Sequence, residues 1–194
     1  MSVLSKVFGR RRQQPPVVRT TANSPYRIPK PVVGFVCVAP EHQALMDADK
    51  AAIGPIFAEC RSSTGEVVPC HILFLYCNVD KTGSLPGLSM RIRDFVKASG
   101  ACIAVVASEN SVEHYTPALK PGNGWPANIA LVVDRRGASF EQFYQKLFQA
   151  MKGGTSMLMA WVRLAPQNSN RDHTECPVSL MLAEAGHVAF GEST

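Results

Sequence analysis

His71-Ile72-Leu73-Phe74-Leu75-Tyr76-Cys77-Asn78-Val79-Asp80, then Lys81-Thr82-Gly83-Ser84-Leu85-Pro86-Gly87, then Leu88 to Ser99, read in turn as a strand, a small-residue loop and a helix. The strand is a continuous apolar run, the mark of a strand buried on both faces at the centre of a sheet. The helix carries Leu88, Ile92, Phe95, Val96 and Ser99 on one side and Arg91, Arg93, Asp94 and Lys97 on the other, and closes at Gly100. Open sheets built from this unit bind ligands just beyond the carboxyl ends of their strands. Cys77, Asn78, Asp80 and Gly83 stand there in this chain.

Outward from that unit the alternation continues. Val32 to Ala39 reads as a preceding strand, and His42 to Cys60 has helical spacing interrupted at Gly54-Pro55. The central strand is bounded at Val67 and Cys77. Ala101 to Ala107 and Ala127 to Val133 are two further buried strands, separated by a connection from Ser108 to Pro126 whose length points to a functional loop or a short helix. Phe140, Phe143, Tyr144, Leu147, Phe148 and Met151 fall on one helical stripe, with Ser139 and Gln142 spaced as a capping box and Gly153-Gly154 as a stop. Met157 to Leu164 reads as a fifth strand, Gln167 to Glu175 as a polar loop, and Val178 to Leu182 with His187 to Phe190 as a closing strand pair. The expected fold is a three-layer α/β sandwich around a mostly parallel sheet of five or six strands.

The 194 residues are 46% hydrophobic, enough for one domain with a core of its own. The net charge of +5 is unevenly placed: residues 1–31 hold seven basic residues and no acidic one, leaving 13 basic and 15 acidic residues in 32–194. The basicity therefore belongs to a proline-rich arm over 1–31, and the domain over 32–194 carries no nucleic-acid footprint of charge. Within the arm, Arg10, Arg11 and Arg12 follow the apolar Val3, Leu4, Val7 and Phe8, a pattern suited to an anionic surface. Six cysteines without a Cys-x-x-Cys pair, several inside strands, point to reduced thiols and a cytoplasmic setting. The apolar runs are too short to span a bilayer, so no transmembrane segment is expected.

Two chemistries compete at the carboxyl edge. Cys77 ends one strand and His42 follows its neighbour, the arrangement of a thiol nucleophile and its base, although a strand cysteine is also common inert packing. Asn78, Asp80, Thr82, Gly83 and Ser84 lie in a loop whose amides could hold a small ligand or a nucleotide phosphate, with Glu109 after the next strand as an acid. The full phosphate-loop spacing is absent, so a plain turn is the other reading. Asp134-Arg135-Arg136 reads as a turn. His173, Cys176 and His187 assemble no four-ligand set, so neither a metal nor a cofactor is expected.

Leu73-Phe74-Leu75-Tyr76-Cys77, Ser99-Gly100-Ala101 leading into Ile103 to Ala107, and Phe143-Tyr144 with Gly153-Gly154-Thr155-Ser156 together resemble the second half of a caspase-like CHAT domain. The resemblance implies that Cys77 takes the nucleophile's position and His42 the base's, although His42 is followed by Gln43 where the family usually has Gly. Asp80, Leu85-Pro86 and Ser108-Glu109-Asn110-Ser111 are similar to a TIR-like domain. There the catalytic Glu position is filled by Ala118 within Tyr115-Thr116-Pro117-Ala118-Leu119. Both resemblances cover about half of the chain, and both imply a signalling fold with broken catalytic motifs. The expected function is a cytosolic interaction or signalling module engaging a protein partner, with a peptidase-like cysteine hydrolase and a small-ligand binder as alternatives.

Overall fold

A computed structural model describes residues 26–120, 125–135, 139–165 and 176–191. Five strands run parallel, β2 (Val32–Cys37), β3 (Glu59–Thr64), β4 (Ile72–Tyr76), β7 (Ile103–Val106) and β8 (Asn128–Asp134), and β9 (Val178–Ala183) closes the sheet antiparallel to β8. The order across the sheet is β3-β2-β4-β7-β8-β9. Two small sheets accompany it: β5 (Ser84–Leu85) with β6 (Met90–Arg91), antiparallel, and β1 (Tyr26–Ile28) with β10 (Val188–Phe190), parallel.

Helices cover both faces, which gives the three expected layers. Strand alternation sends Val33, Phe35, Ile72, Phe74, Tyr76, Ile103 and Val105 to one core, where α1 (Gln43–Ile53), α4 (Ser139–Lys152) and α5 (Met157–Leu164) pack. Leu73, Leu75, Cys77, Ala104 and Val106 face the other, under α2 (Ile92–Ser99) and α3 (Val112–Leu119). The apolar stripe of α4 is buried throughout, and Phe74 meets Phe140, Tyr144 and Phe148 edge-on with ring centroids 5.3–6.3 Å apart. Each such side chain contributes on the order of 1.5–3 kcal/mol by burial. α2 stops where expected, at Gly100, whose φ of 73° is the left-handed cap that glycine adopts freely.

Four sequence expectations change. The helix after β2 ends at the expected Gly54-Pro55 interruption, but the 3-10 turn over Gly54–Ile56 leads into β3, an unexpected edge strand that the polar run Glu59-Cys60-Arg61-Ser62-Ser63-Thr64 conceals. Met157 to Leu164 is a helix rather than a strand: Met157, Ala160, Trp161 and Leu164 pack inward at helical spacing, while Met159 and Val162 are exposed. β9 and β10 do not pair with each other, because β9 joins β8 and β10 joins β1. The arm assigned to 1–31 lies outside the described residues up to residue 25, and Tyr26–Ile28 within it forms β1. The capping box rests on Ser139, whose side chain lies outside the described residues, as does the Gln167 to Glu175 loop. The long connection after β7 contains α3, and Ala118 in α3 is buried.

Candidate functional site

The five parallel strands have the doubly wound order in which the crossovers reverse between β2 and β4, and this reversal opens a crevice at the carboxyl ends. Glu41, His42 and Asn78 meet there. Val38 N–H donates to the Tyr76 carbonyl at 2.8 Å, holding the segment after β2 alongside the end of β4. The Asn78 amide then bridges its neighbours: its Oδ1 lies 3.1 Å from His42 Nε2, and its Nδ2 donates to Glu41 Oε1. Because Oδ1 only accepts, His42 Nε2 is the donor in this contact. A hydrogen bond from Glu41's own backbone amide, and then the Asn78 contact, hold the Glu41 carboxyl below the usual range.

Cys77 is not part of that group. It is one residue beyond Tyr76, so it projects to the α2/α3 face, whereas His42 precedes α1 on the other. Its thiol is 0% exposed, and burial pushes its pKa up to about 12, against which a hydrogen bond to Ser108 acts only weakly. A group so placed is a thiol at neutral pH and a poor nucleophile. His42 thus meets Asn78 in place of the expected Cys77, because the period of two along the strand separates them.

The loop from Asp80 to Gly87 is closed on itself. Asp80 Oδ1 accepts from Thr82 N at 2.8 Å, Thr82 Oγ1 at 2.7 Å and Ser84 N at 3.0 Å, and Gly83 N donates to the Asp80 carbonyl at 2.9 Å. These hydrogen bonds, the Thr82 hydroxyl foremost, keep the Asp80 carboxyl below its ordinary range. The Thr82, Gly83 and Ser84 amides are therefore spent, and β6 lies between the loop and the start of α2. Gly83, at φ 75°, presses against α3: a Cβ there would stand 2.9 Å from the Pro117 Cβ. Glu109 is engaged elsewhere: its Oε1 accepts from Arg135 N at 2.8 Å.

Two clusters lie under the same edge, built on residues whose sequence reads only as a turn at Arg135 and as the TIR-like segment Ser108-Glu109-Asn110. On the α1/α4 side, Asp49 is 0% exposed and accepts from Tyr76 Oη at 2.6 Å and from Arg135 Nη2 at 3.0 Å on each oxygen. The guanidinium also donates to the Ala107 carbonyl and stacks 3.5 Å above the Phe140 ring. Burial raises the Asp49 pKa to about 6, with the Arg135 charge opposing it. On the α2/α3 side, Ser108 Oγ donates to the Cys77 carbonyl at 2.6 Å and accepts from Cys77 N at 2.8 Å. Asn110 bridges Cys77 O, Ser108 O, Val79 N and Tyr115 Oη, and Tyr115 Oη in turn lies 2.9 Å from Val132 O. The Ser108-Glu109-Asn110 stretch thus fastens three strand ends. Alternation is the signal that could have revealed it: Ser108 and Asn110 turn one way and Glu109 the other.

Among the described residues, no group of three or more His, Cys, Asp or Glu is placed to hold a metal ion, and no helix is long and apolar enough to cross a membrane. All six cysteines are free. No family model matches the chain, and no curated protein matches it.

Proposed function

We propose that this chain is a non-catalytic interaction or signalling module of the cytosol, with the caspase-like or TIR-like architecture its sequence resembles, and that it recognises a protein partner through the polar crevice of Glu41, His42 and Asn78. The observation that carries the reading is the placement of Cys77. A buried thiol with a pKa of about 12, on the face opposite His42, lacks both the ionisation and the base that a cysteine hydrolase needs. The spent amides of the Asp80 loop weigh in the same direction against a phosphate-binding role. Free thiols throughout agree with a reducing compartment.

The deciding experiment is alkylation of the native protein across the neutral range, read peptide by peptide, with exposed Cys60 as the internal standard. Cys77 is expected to label only on unfolding, with no change in His42→Ala. Labelling of native Cys77 near neutral pH that His42→Ala slows overturns the reading in favour of a hydrolase.

A further inference from the structure

α1 is laced to the sheet at two levels, seven residues apart on the helix and two apart on the segments it meets. At the carboxyl edge His42, the residue that opens α1, meets Asn78, and Gln43 Oε1 accepts from Thr64 Oγ1 at 3.4 Å. Two turns further along, Asp49 accepts from Tyr76 Oη, and Lys50 Nζ donates to Ser62 Oγ at 2.8 Å. Seven residues are close to two helical turns, and alternate residues of a strand share a face, so the contacts fall in two rows, one toward β4 and one toward β3. Three of the four are open to water, which competes for their groups. Asp49 and Tyr76 form the buried one, each residue 0% exposed.

One backbone hydrogen bond, from Val38 N–H to the Tyr76 carbonyl, fixes where the chain leaves β2. A single point leaves α1 able to turn about its own axis, and such a turn carries His42 off Asn78. The second point is Asp49. Its carboxylate has one orientation, because Arg135 Nη2 lies 3.0 Å from each oxygen and Tyr76 Oη 2.6 Å from one of them. Arg135 is held in turn by the Ala107 carbonyl and the Phe140 ring, so the ends of β4, β7 and β8 and the first turn of α4 all bear on one side chain of α1. We propose that Asp49, Tyr76 and Arg135 are positioning residues of the crevice: their buried lock sets the rotation of α1 and thereby holds His42 on Asn78. A change at the lower level then reaches the crevice without touching it. The use of this coupling to a partner rests on the reading of the crevice as a recognition surface; the coupling itself does not.

The test reads the Asn78 side-chain amide of the isotopically labelled full chain by NMR, with His42→Ala setting the shifts that Asn78 takes without its ring partner. Tyr76→Phe removes one hydroxyl and keeps the Asp49–Arg135 pair. It should move Asn78 most of the way to those shifts and abolish the nuclear Overhauser contact between Asn78 and the His42 ring. Asp49→Ala should do the same, while Asp49→Asn, which keeps an acceptor for Tyr76, should restore most of the native signal. Met151→Ala cuts into the same core and takes part in none of these hydrogen bonds, so it should leave Asn78 in place. Asn78 unmoved by Tyr76→Phe overturns the proposal, as does a Met151→Ala chain in which Asn78 moves as far as in Tyr76→Phe, since general loosening then explains both. Should Asp49→Ala fail to fold, Tyr76→Phe carries the test alone. An unmoved Asn78 leaves the crevice standing as a partner surface, and native labelling of Cys77 removes that role without altering these shifts, so the two failures are distinct.

Discussion

Toward α1 and α4, the carboxyl edge of the sheet is held by charge: Asp49 and Arg135, with Tyr76 between the strand and the helix. Toward α2 and α3, the same edge is held by neutral groups, Ser108, Asn110 and Tyr115, which return to backbone at Cys77, Val79 and Val132. The segment from Ala107 to Asn110 serves both, giving Ala107 O and Glu109 to Arg135 and its other side chains to the neutral network. The difference teaches that one strand end can be fixed by two chemistries with unequal exposure to pH. Only the charged lock titrates.

The largest effect is expected where the charged lock is broken on one side. Asp49→Ala leaves the Arg135 guanidinium, 9% exposed, without its counter-charge and strips Tyr76 Oη of its acceptor. Removing one partner of a buried pair costs about 3–5 kcal/mol, a loss that urea unfolding at neutral pH measures. A loss of well under 1 kcal/mol would show that the pair contributes nothing net.

The pH profile separates the two locks next. Asp49 has a pKa of about 6 in the folded chain against 3.8 for the free group. The folded state therefore binds more protons between these values, so the contribution is full below about 4 and is lost as pH rises through about 6. Asp49→Asn removes that fall while keeping an acceptor for Tyr76, and unfolding of both proteins at pH 4, 5, 6 and 7 checks it. Parallel curves would assign the slope to other groups.

Tyr115→Phe tests the neutral lock. It deletes the hydroxyl between Asn110 and Val132 and leaves buried partners unpaired, at a cost of about 1–3 kcal/mol. The loss should not vary between pH 5 and 8, because no member of the network titrates there; a pH-dependent loss would show that the two locks are coupled through Glu109. The smallest change is expected for Gly83→Ala, which meets the Pro117 Cβ and disfavours φ 75°. The left-handed backbone alone costs about 1–2 kcal/mol, visible as faster amide exchange in the β5–β6 hairpin and in α3, where Pro117 must yield.

The architecture was legible because its signal is burial. β4 and β7 are buried along their whole length and β8 from Asn128 to Val132, and α4 writes its stripe in six apolar positions. β3 was hidden because an edge strand that discourages pairing must look polar, and α5 because apolar residues all round mask a period of 3.6 in only eight residues. The site followed the same rule. His42 and Asn78 were placed correctly at the carboxyl edge, but which face Cys77 takes depends on the strand's exact parity, and one residue reverses it. Asp49 and Arg135 are 86 residues apart and look like ordinary surface charges until the fold brings them together.

The parallel pair of β1 with β10 joins Tyr26–Ile28 to Val188–Phe190, with Tyr26 N–H donating to the His187 carbonyl at 2.7 Å. During synthesis, residues 26–28 leave the ribosome long before their partner exists. The central strands and α4 are complete while β1 must wait for the last strand, so contacts spanning more than 160 residues close only once residue 190 has emerged. A nascent chain from which β10 has not yet emerged holds its central strands and α4 without the β1–β10 seam.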